Sequence, residues 1–183
     1  VAIIGTHSVG KTTLINNSKF ELPVIPELIR VLKEKDPKIK INEGTDEYSQ
    51  QTFFSEYCRL FQELHSFISD MAPIDVLAYT KWACQHNVNG MTMNLYYRMF
   101  ADLIEFIKCN PDVIYIYIPI MYDPIDDGFR SIDKTYREEV DKCLREIIAD
   151  IENTLDGNGL KYFHTITKLD MKERLKEFND FIY

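Results

Sequence analysis

The sequence predicts an α/β fold in which five short strands form a parallel sheet with helices on both faces. Apolar runs typical of buried strands alternate along the chain with segments whose apolar residues recur at helical spacing. Alternation of this kind favours a parallel sheet. The run G-T-H-S-V-G-K-T at 5–12 lies between the first apolar run and the first helical segment, which is the context of a phosphate-binding loop of the P-loop NTPase type.

Five segments of the chain are predicted as strands. They are residues 1–4, 22–26, 66–69, 113–118 and 161–167. The fourth segment contains only β-branched and aromatic residues, which suits a strand buried on both faces. The first segment is short for a central strand and begins at Val1 without an initiator Met, so we expect a few residues to precede it.

Helices are predicted between and after these strands. They cover residues 11–18, 27–35, a long segment from 47 to the third strand, a segment from Pro73, and segments around 95–107, 136–155 and 170–182. The long segment is predicted because its apolar residues recur at helical spacing up to Leu64 and Phe67. We expect residues 1–183 to form a single domain, since this length supplies enough material for a core.

Composition excludes several function classes. The net charge of −8 and the pI of about 5.0 argue against a broad nucleic-acid surface. No apolar stretch reaches the roughly 18 residues of a membrane span. The four cysteines form no CxxC pair and the four histidines show no metal-ligand spacing, so we expect reduced thiols in a cytoplasmic protein.

The phosphate-binding loop supplies the first candidate site residues. Glycines at its two ends let the backbone curl so that successive N–H groups face phosphate oxygens, and the following helix N-terminus favours an anion. We expect Lys11 to reach the β- and γ-phosphates of ATP and the hydroxyl of Thr12 to ligate Mg²⁺. The predicted nucleotide-binding residues are Gly5, Thr6, His7, Ser8, Val9, Gly10, Lys11, Thr12 and Thr13.

Three acidic residues follow predicted strands, where ligands bind in open parallel sheets. Asp70 could hold Mg²⁺ together with Thr12, and Glu27 could accept the proton of an acceptor hydroxyl. Each has a simpler interpretation: Glu27 as an acid at a helix N-terminus, and Asp70 as the N-cap before Pro73. Asp123 precedes Pro124 and is more typical of a turn than of a ligand site.

A polar segment at about 121–137 predicts a lid. It is rich in turn-forming residues and carries Arg130, with Arg137 in the helix that follows. Arginines on such a segment can close over a triphosphate and stabilise the charge of the transferred phosphoryl group. The alternative is a solvated loop with ordinary surface arginines.

Four sequence blocks carry a resemblance to a known family. The blocks are G-T-H-S-V-G-K-T-T-L, V-I-P-E-L-I-R, F-I-S-D-M-A-P-I-D-V-L-A-Y and D-D-G-F-R-S-I-D-K-T-Y-R-E-E-V-D. In this order they resemble the NadR-type P-loop kinases and their phage relatives, which are close to the deoxynucleoside and nucleoside monophosphate kinases. The resemblance implies the kinase-type P-loop fold with strand order 2-3-1-4-5 and a lid after the fourth strand.

The resemblance also implies roles for individual residues. Lys11 and Thr12 match the phosphate and Mg²⁺ residues, and Glu27 matches the base of deoxynucleoside kinases. Asp70 matches the acid of the family's Asp-Arg block, and the lid arginines match Arg130 and Arg137.

One position departs from the family pattern. Met71 follows Asp70 where the family usually has an arginine that steadies the acceptor or the transferred phosphate. Arg30 and Lys81 are the candidates to replace it. The departure leaves open a chain that transfers phosphate slowly or uses an unusual acceptor.

A second motif indicates a different function. The run T-K-L-D at 167–170 resembles the guanine-reading motif of regulatory GTPases. A GTPase would need another strand beyond it and a D-x-x-G switch after the third strand, which this sequence lacks. Asp170 with Glu173 is better interpreted as a helix capping box.

The acceptor pocket is predicted near the long helix that starts at Glu47. Aromatic side chains could stack a base, and a glutamine amide could read its edge. The candidates are Gln50, Gln51, Phe53, Phe54 and Tyr57. The same aromatic pattern is also typical of an ordinary core.

Together these observations predict an ATP- and Mg²⁺-dependent kinase that phosphorylates a nucleoside or a nucleoside monophosphate. Open alternatives are another acceptor, such as nicotinamide riboside or a modified base in DNA, a nucleotide-binding module without activity, and a GTPase switch. We expect a small-molecule partner, no membrane and no nucleic acid. A homodimer and a phage-encoded protein acting in the host cytoplasm stay open.

Overall fold

Five strands form one parallel sheet in the computed structural model, which describes residues 1–18, 21–123, 128, 131–155 and 162–182. The strands are β1 (Ala2–Ile4), β2 (Val24–Ile25), β3 (Ile68–Asp70), β4 (Tyr115–Tyr117) and β5 (Phe163–Thr165). Their order is β2-β3-β1-β4-β5, and every neighbouring pair is parallel. The predicted parallel sheet and strand order are confirmed.

Seven α-helices connect and follow the strands in the described residues. They are α1 (Lys11–Asn17), α2 (Leu28–Lys35), α3 (Glu47–Glu63), α4 (Pro73–Gln85), α5 (Met93–Cys109), α6 (Lys134–Thr154) and α7 (Met171–Ile182). Two short 3₁₀ turns lie at Asn42–Gly44 and Val88–Gly90. In the described parts of the chain, no helix combines the length and the apolar character needed to cross a membrane.

The three central strands β3, β1 and β4 are buried on both faces because their side chains alternate between two cores. Ala2 and Ile4 point into the larger core, which the helices α2 to α6 complete, whereas Ile3 points into a smaller one. Leu14 of α1 and Phe178 of α7 close the smaller core. The predicted placement of helices on both faces is therefore confirmed.

Some strands and helices are shorter than the apolar pattern predicted. The strand predicted at 113–118 spans Tyr115–Tyr117 because its ladder partner β1 has only three residues. The prediction that helical periodicity continues to Leu64 and Phe67 was wrong. Helix α3 ends at Glu63, and Leu64 is its C-cap in an extended conformation.

The sheet brings three predicted site segments to one edge. Because β1, β2 and β3 are adjacent and parallel, the residues that follow them share the carboxyl edge of the sheet. Ile3 is paired with Asp70, and Ile25 with Ser69. The loop after β1, Glu27 after β2 and Asp70 at the end of β3 therefore converge.

Candidate active site

The loop between β1 and α1 has the curled backbone that the sequence predicted. Gly5, Ser8 and Gly10 have φ angles of 149°, 59° and 93°. A Cβ atom at Gly5 would lie 2.5 Å from the carbonyl oxygen of Ile118 and 3.0 Å from a side-chain methyl of Val9. Position 5 therefore admits only glycine, because the backbone just after β4 approaches too closely for a side chain.

Lys11 folds back over the first half of this loop. Its Nζ atom donates hydrogen bonds of 2.6 Å to the carbonyl of Gly5 and 2.9 Å to that of Thr6. The residue is only 6% exposed, so its charge is concentrated inside the loop. An ammonium group in this position can exchange these carbonyls for phosphate oxygens when a nucleotide enters.

Two buried arginines from distant helices hold the second half of the loop. Arg137 of α6 donates to the carbonyls of His7 (2.9 Å) and Ser8 (3.1 Å), and Arg174 of α7 donates to that of Val9 (3.2 Å). Five consecutive loop carbonyls, from Gly5 to Val9, thus accept hydrogen bonds from cationic side chains. With the carbonyls held in this way, N–H groups of the loop other than those of Gly5 and His7 can bind a ligand.

Helix α4 supports the same loop from another side. Asp75 accepts hydrogen bonds of 2.8 Å from the N–H groups of Gly5 and Ala72. Tyr79, one turn later, accepts a bond of 3.1 Å from the N–H of His7. Burial raises the pKa of the Asp75 carboxyl to about 7. The group that binds the Gly5 N–H is therefore ionisable and shielded from water.

Asp70 and Thr12 meet beside the loop. The Thr12 hydroxyl donates a short hydrogen bond to Oδ2 of Asp70. Asp70 is 3% exposed, and its Oδ1 atom has no hydrogen-bond partner among the described residues. A hydroxyl and a buried carboxylate oxygen that lacks a partner are ligands suited to Mg²⁺, which binds few protein oxygens and keeps waters and phosphates. The described residues contain no group of three or more His, Cys, Asp or Glu that could hold a metal.

The interpretation of Asp70 as a helix cap is wrong. The N-cap of α4 is Ala72, and the carboxylate that accepts from its N–H belongs to Asp75. Asp70 is held instead by Tyr57, whose hydroxyl lies 3.2 Å from the Asp70 carbonyl and accepts a 3.1 Å bond from Leu28 N–H. This tyrosine links the ends of β2 and β3.

Glu27 occupies the N-cap position of α2, but its side chain makes no capping hydrogen bond. Its Oε2 atom lies 3.2 Å from Nε of Arg30. Glu27 lines two cavities. The first, of about 40 Å³, is lined by His7, Lys11, Glu27, Ile29, Ile41, Asn42, Gln50, Phe53, Met71, Val76 and Tyr79. The second, of about 450 Å³, is lined by Thr12, Ile15, Asn16, Val24, Pro26, Glu27, Arg30, Val31 and Asp70.

The two cavities are lined by different candidate residues, with Glu27 common to both. Lys11 and Glu27 line the first cavity, whereas Thr12, Asp70 and Glu27 line the second. The first cavity holds only about two or three water molecules at roughly 15 Å³ each. A molecule the size of a nucleoside would fit this cavity only if the side chains that line it moved.

Only part of the predicted acceptor pocket is near these cavities. Gln50 and Phe53 line the first cavity, whereas Gln51 is exposed and bonded to Glu47. Phe54 and Tyr57 are core residues. The amide of Gln50 already donates 2.7 Å to Thr45 and accepts 3.1 Å from Thr80, so it contributes more to the shape of the pocket than to reading a base.

The predicted lid region is described in part. Arg130 lies outside the described residues, as do residues 124–127. Arg137 is buried against the phosphate-binding loop and also donates 2.6 Å to the carbonyl of Tyr122. Asp123 is exposed and forms a 2.8 Å ion pair with Lys134.

The two candidates to replace an arginine at position 71 differ in location. Arg30 lines the second cavity together with Asp70. Lys81 points to α6, where its Nζ lies 2.8 Å from Glu146. Met71 itself is 2% exposed and has a left-handed φ of 84°, which is uncommon for a bulky residue.

The T-K-L-D motif has a structural role. Oδ1 of Asp170 accepts from the N–H groups of Lys172 (2.9 Å) and Glu173 (3.2 Å) at the start of α7. Asp170 thus caps the start of α7, as the capping interpretation predicted. The main chain of Thr167 and Lys168 is bonded to Glu177 of the same helix.

Sequence reasoning missed Arg174 and did not assign functions to Asp75 and Tyr79. The last two are four residues apart on one helix, so their shared face could be predicted. Nothing in the sequence indicated that this face meets the phosphate-binding loop. The contact of Arg174 with Val9 spans 165 positions and has no local signal.

Solved structures of other proteins have a fold similar to this one. No protein-family model matches the chain, and no curated protein does. The structure of deoxyadenosine kinase from M. mycoides with the products dCMP and dCDP is 17% identical, with a TM-score of 0.65 over 99% of this chain and 97% of that chain. The same kinase with bound dCTP is 19% identical, with a TM-score of 0.66 and the same coverage of both chains.

A second protein has the same fold within a longer chain. NadR in complex with NR is 15% identical, with a TM-score of 0.70; the match covers 98% of this chain and 50% of the NadR chain. At these identities the matches establish the fold. The chain has the P-loop kinase fold, so the resemblance predicted from the four sequence blocks is confirmed at that level, while the relation to phage proteins stays a prediction.

Proposed function

We propose that this chain is a kinase that transfers the γ-phosphoryl group of ATP to a nucleoside or a nucleoside monophosphate, and that it requires Mg²⁺. The observation that carries the proposal is the shared cavity of Lys11 and Glu27, with Thr12 and Asp70 beside it. A phosphate cradle, a pair of metal ligands and a candidate base are the parts that phosphoryl transfer requires. The likeness to deoxyadenosine kinase supports the same class of reaction.

Donor binding is assigned to the loop and to Lys11. The loop N–H groups and the N-terminus of α1 receive the β-phosphate, while Lys11 leaves the carbonyls of Gly5 and Thr6 to neutralise the β- and γ-phosphates. Thr12 and Asp70 would hold Mg²⁺, which neutralises phosphate charge when bound. Arg137 and Arg174 keep the loop in shape by binding its carbonyls.

Acceptor activation is assigned to Glu27. Its carboxylate lines the same cavity as Lys11, so it can orient an acceptor hydroxyl and accept its proton as the phosphoryl group arrives. Arg30, bonded to Glu27, can fix the direction of that carboxylate. Arg130, by the sequence resemblance, would close over the transferred group. We place this activity in the cytoplasm of the producing cell or of a phage-infected host.

A panel of acceptors tests the proposal. ADP release from MgATP is measured with deoxynucleosides, nucleosides, their monophosphates and nicotinamide riboside, which the likeness to NadR brings into the panel. We expect at least one acceptor to stimulate ADP release. The K11A variant should lose this activity, whereas K108A, which changes an exposed lysine on α5, should retain it.

The panel also separates the alternatives. ADP release that no acceptor stimulates would support a nucleotide-binding module without transferase activity. Salt-dependent binding of DNA would support a base within DNA as the acceptor, against the net charge of −8. Equal activity of K11A and the unmodified chain would contradict the proposed mechanism.

A further inference from the structure

We propose that Tyr79 is a positioning residue for the terminal phosphate of the nucleotide donor. The inference rests on the proposed donor site, and it assigns a role to a residue outside the phosphate-binding motif. Its basis is a contact between a side chain of α4 and the main chain of the loop. The Tyr79 hydroxyl accepts a 3.1 Å hydrogen bond from the N–H of His7 and lies 3.1 Å from Nδ1 of the same residue.

The position of the contact between Tyr79 and His7 in the loop indicates which phosphate of the nucleotide lies next to it. His7 lies four residues before Lys11, away from the helix N-terminus that receives the β-phosphate. Tyr79 lines the cavity shared by Lys11 and Glu27, which is the acceptor side of the loop. In-line transfer requires the γ-phosphate to lie between the β-phosphate and the acceptor, so the Tyr79 hydroxyl, which binds the His7 N–H, lies on the γ-phosphate side of the loop.

The hydrogen-bond capacity of the phenol suits this role. Its oxygen accepts from His7 N–H, and its proton can be donated to one further acceptor. Without a nucleotide, that acceptor can be Nδ1 of His7. When the γ-phosphate is present, a phosphate oxygen can take its place, with the phenol still fixed by the main chain.

The surrounding contacts fix the ring and the loop independently of the hydroxyl. The His7 ring packs against Tyr79 at a centroid distance of 6.4 Å and against Tyr136 at 5.9 Å, both at 27°. One turn earlier on α4, Asp75 binds the N–H of Gly5 at 2.8 Å. Removing the hydroxyl alone should therefore leave the ring packing and the start of the loop in place.

Tyr136 provides a matched control. It flanks the same His7 ring and is 3% exposed, but it is not among the residues that line the first cavity. Y79F and Y136F each remove one hydroxyl from a ring that packs on His7. Only Y79F removes the group that contacts the His7 main chain.

The experiment compares nucleotides with and without a γ-phosphate by calorimetry on the full chain. For Y79F we expect the Kd of the Mg²⁺ complex of AMP-PNP to rise about tenfold and that of MgADP to change less than about threefold, because one oriented hydrogen bond is lost. Y136F should change neither value. Thermal unfolding is measured in parallel; loss of the acceptor for the His7 N–H should lower the Tm of Y79F by a few degrees and leave the protein folded at the assay temperature.

Every other outcome overturns the inference. Unchanged binding of AMP-PNP by Y79F would show that the hydroxyl does not serve the γ-phosphate. Equal weakening of both nucleotides, or a Y79F protein that does not fold, would show a general structural role. Binding needs no acceptor, so a chain that fails the acceptor panel can still meet this test; a chain that binds neither nucleotide would overturn both the inference and the proposed function.

Discussion

Arg174 donates a 3.2 Å hydrogen bond to the carbonyl of Val9, a residue 165 positions earlier in the chain. Its guanidinium also donates 2.7 Å to the carbonyl of Lys168 and lies 5.0 Å above the ring of Tyr122. The side chain is completely buried. One residue of the last helix therefore joins the phosphate-binding loop to the segments that follow β4 and β5.

Replacing Arg174 tests this connection. R174Q leaves buried carbonyls without their donor, so we expect the free energy of unfolding to fall by about 2–3 kcal/mol. The Kd of MgATP should rise as the loop loses its shape. Urea unfolding and calorimetry measure the two effects. R98Q, at an exposed arginine on α5 that pairs with the exposed Glu47, should change neither, and an R174Q protein with normal stability would contradict the structural role.

The buried carboxyl of Asp75 predicts a pH-dependent stability. Its folded pKa of about 7 lies above its ordinary value of 3.8 because burial disfavours the charged form. Folding therefore takes up a proton between these two values, and the stabilising contribution is complete below about pH 4 and lost as the pH rises through about 7. Urea unfolding across this range should show the decline. D75N should remove this component, and an identical pH profile in D75N would refute the assignment.

Glu27 is expected to act in the chemical step. E27Q retains the size and polarity of the side chain but cannot accept a proton, so kcat should fall about 10²- to 10⁴-fold. The KM for MgATP should stay close to its original value because Glu27 lines the acceptor cavity. E34Q, at an exposed position on the same helix, is the control. A loss of ATP binding without a loss of kcat would exclude Glu27 as the base.

Asp70 is expected to control the requirement for Mg²⁺. D70N keeps a hydrogen-bond acceptor for Thr12 but removes the negative charge. The Mg²⁺ concentration that gives half-maximal activity should therefore rise about 10- to 100-fold. Activity titrations with Mg²⁺ measure the shift, and unfolding curves without metal verify the fold. An unchanged Mg²⁺ requirement would show that the metal is held elsewhere.

The left-handed backbone at Met71 predicts that glycine is more stabilising than alanine at this position, the reverse of their order in a helix. Because φ is 84°, M71G should be more stable than M71A by about 1 kcal/mol, although both lose the buried side chain. At Ala78, inside α4, glycine should instead cost about 1 kcal/mol. Urea unfolding of the three variants tests the contrast. Equal stabilities of M71G and M71A would contradict the left-handed conformation.

Local patterns were sufficient to predict most of the fold. The phosphate-binding loop, the alternation of strands and helices, and the acids after β2 and β3 are all visible in short stretches of sequence. The extent of β4 was not, because the length of a strand depends on the residues that pair with it. β4 stops at Tyr117 although Ile118 is apolar and buried.

The candidate site was harder to predict because it depends on contacts between distant segments. Arg137 was predicted as a lid residue, yet its guanidinium contacts the loop at His7 and Ser8. A glutamine on α3 was a candidate to read a base, and the amide of Gln50 is bonded to Thr45 and Thr80. Periodicity identifies a buried helix face, but it does not reveal which buried polar groups already have partners.

The contact between the last helix and the first loop has a consequence for synthesis on the ribosome. Chains emerge from their N-terminus, so the strand and loop that contain Val9 are made well before Arg174. Until α7 has left the ribosome, the Val9 carbonyl lacks this donor. A nascent chain should therefore acquire full nucleotide affinity only after α7 has emerged and Arg174 has reached the loop.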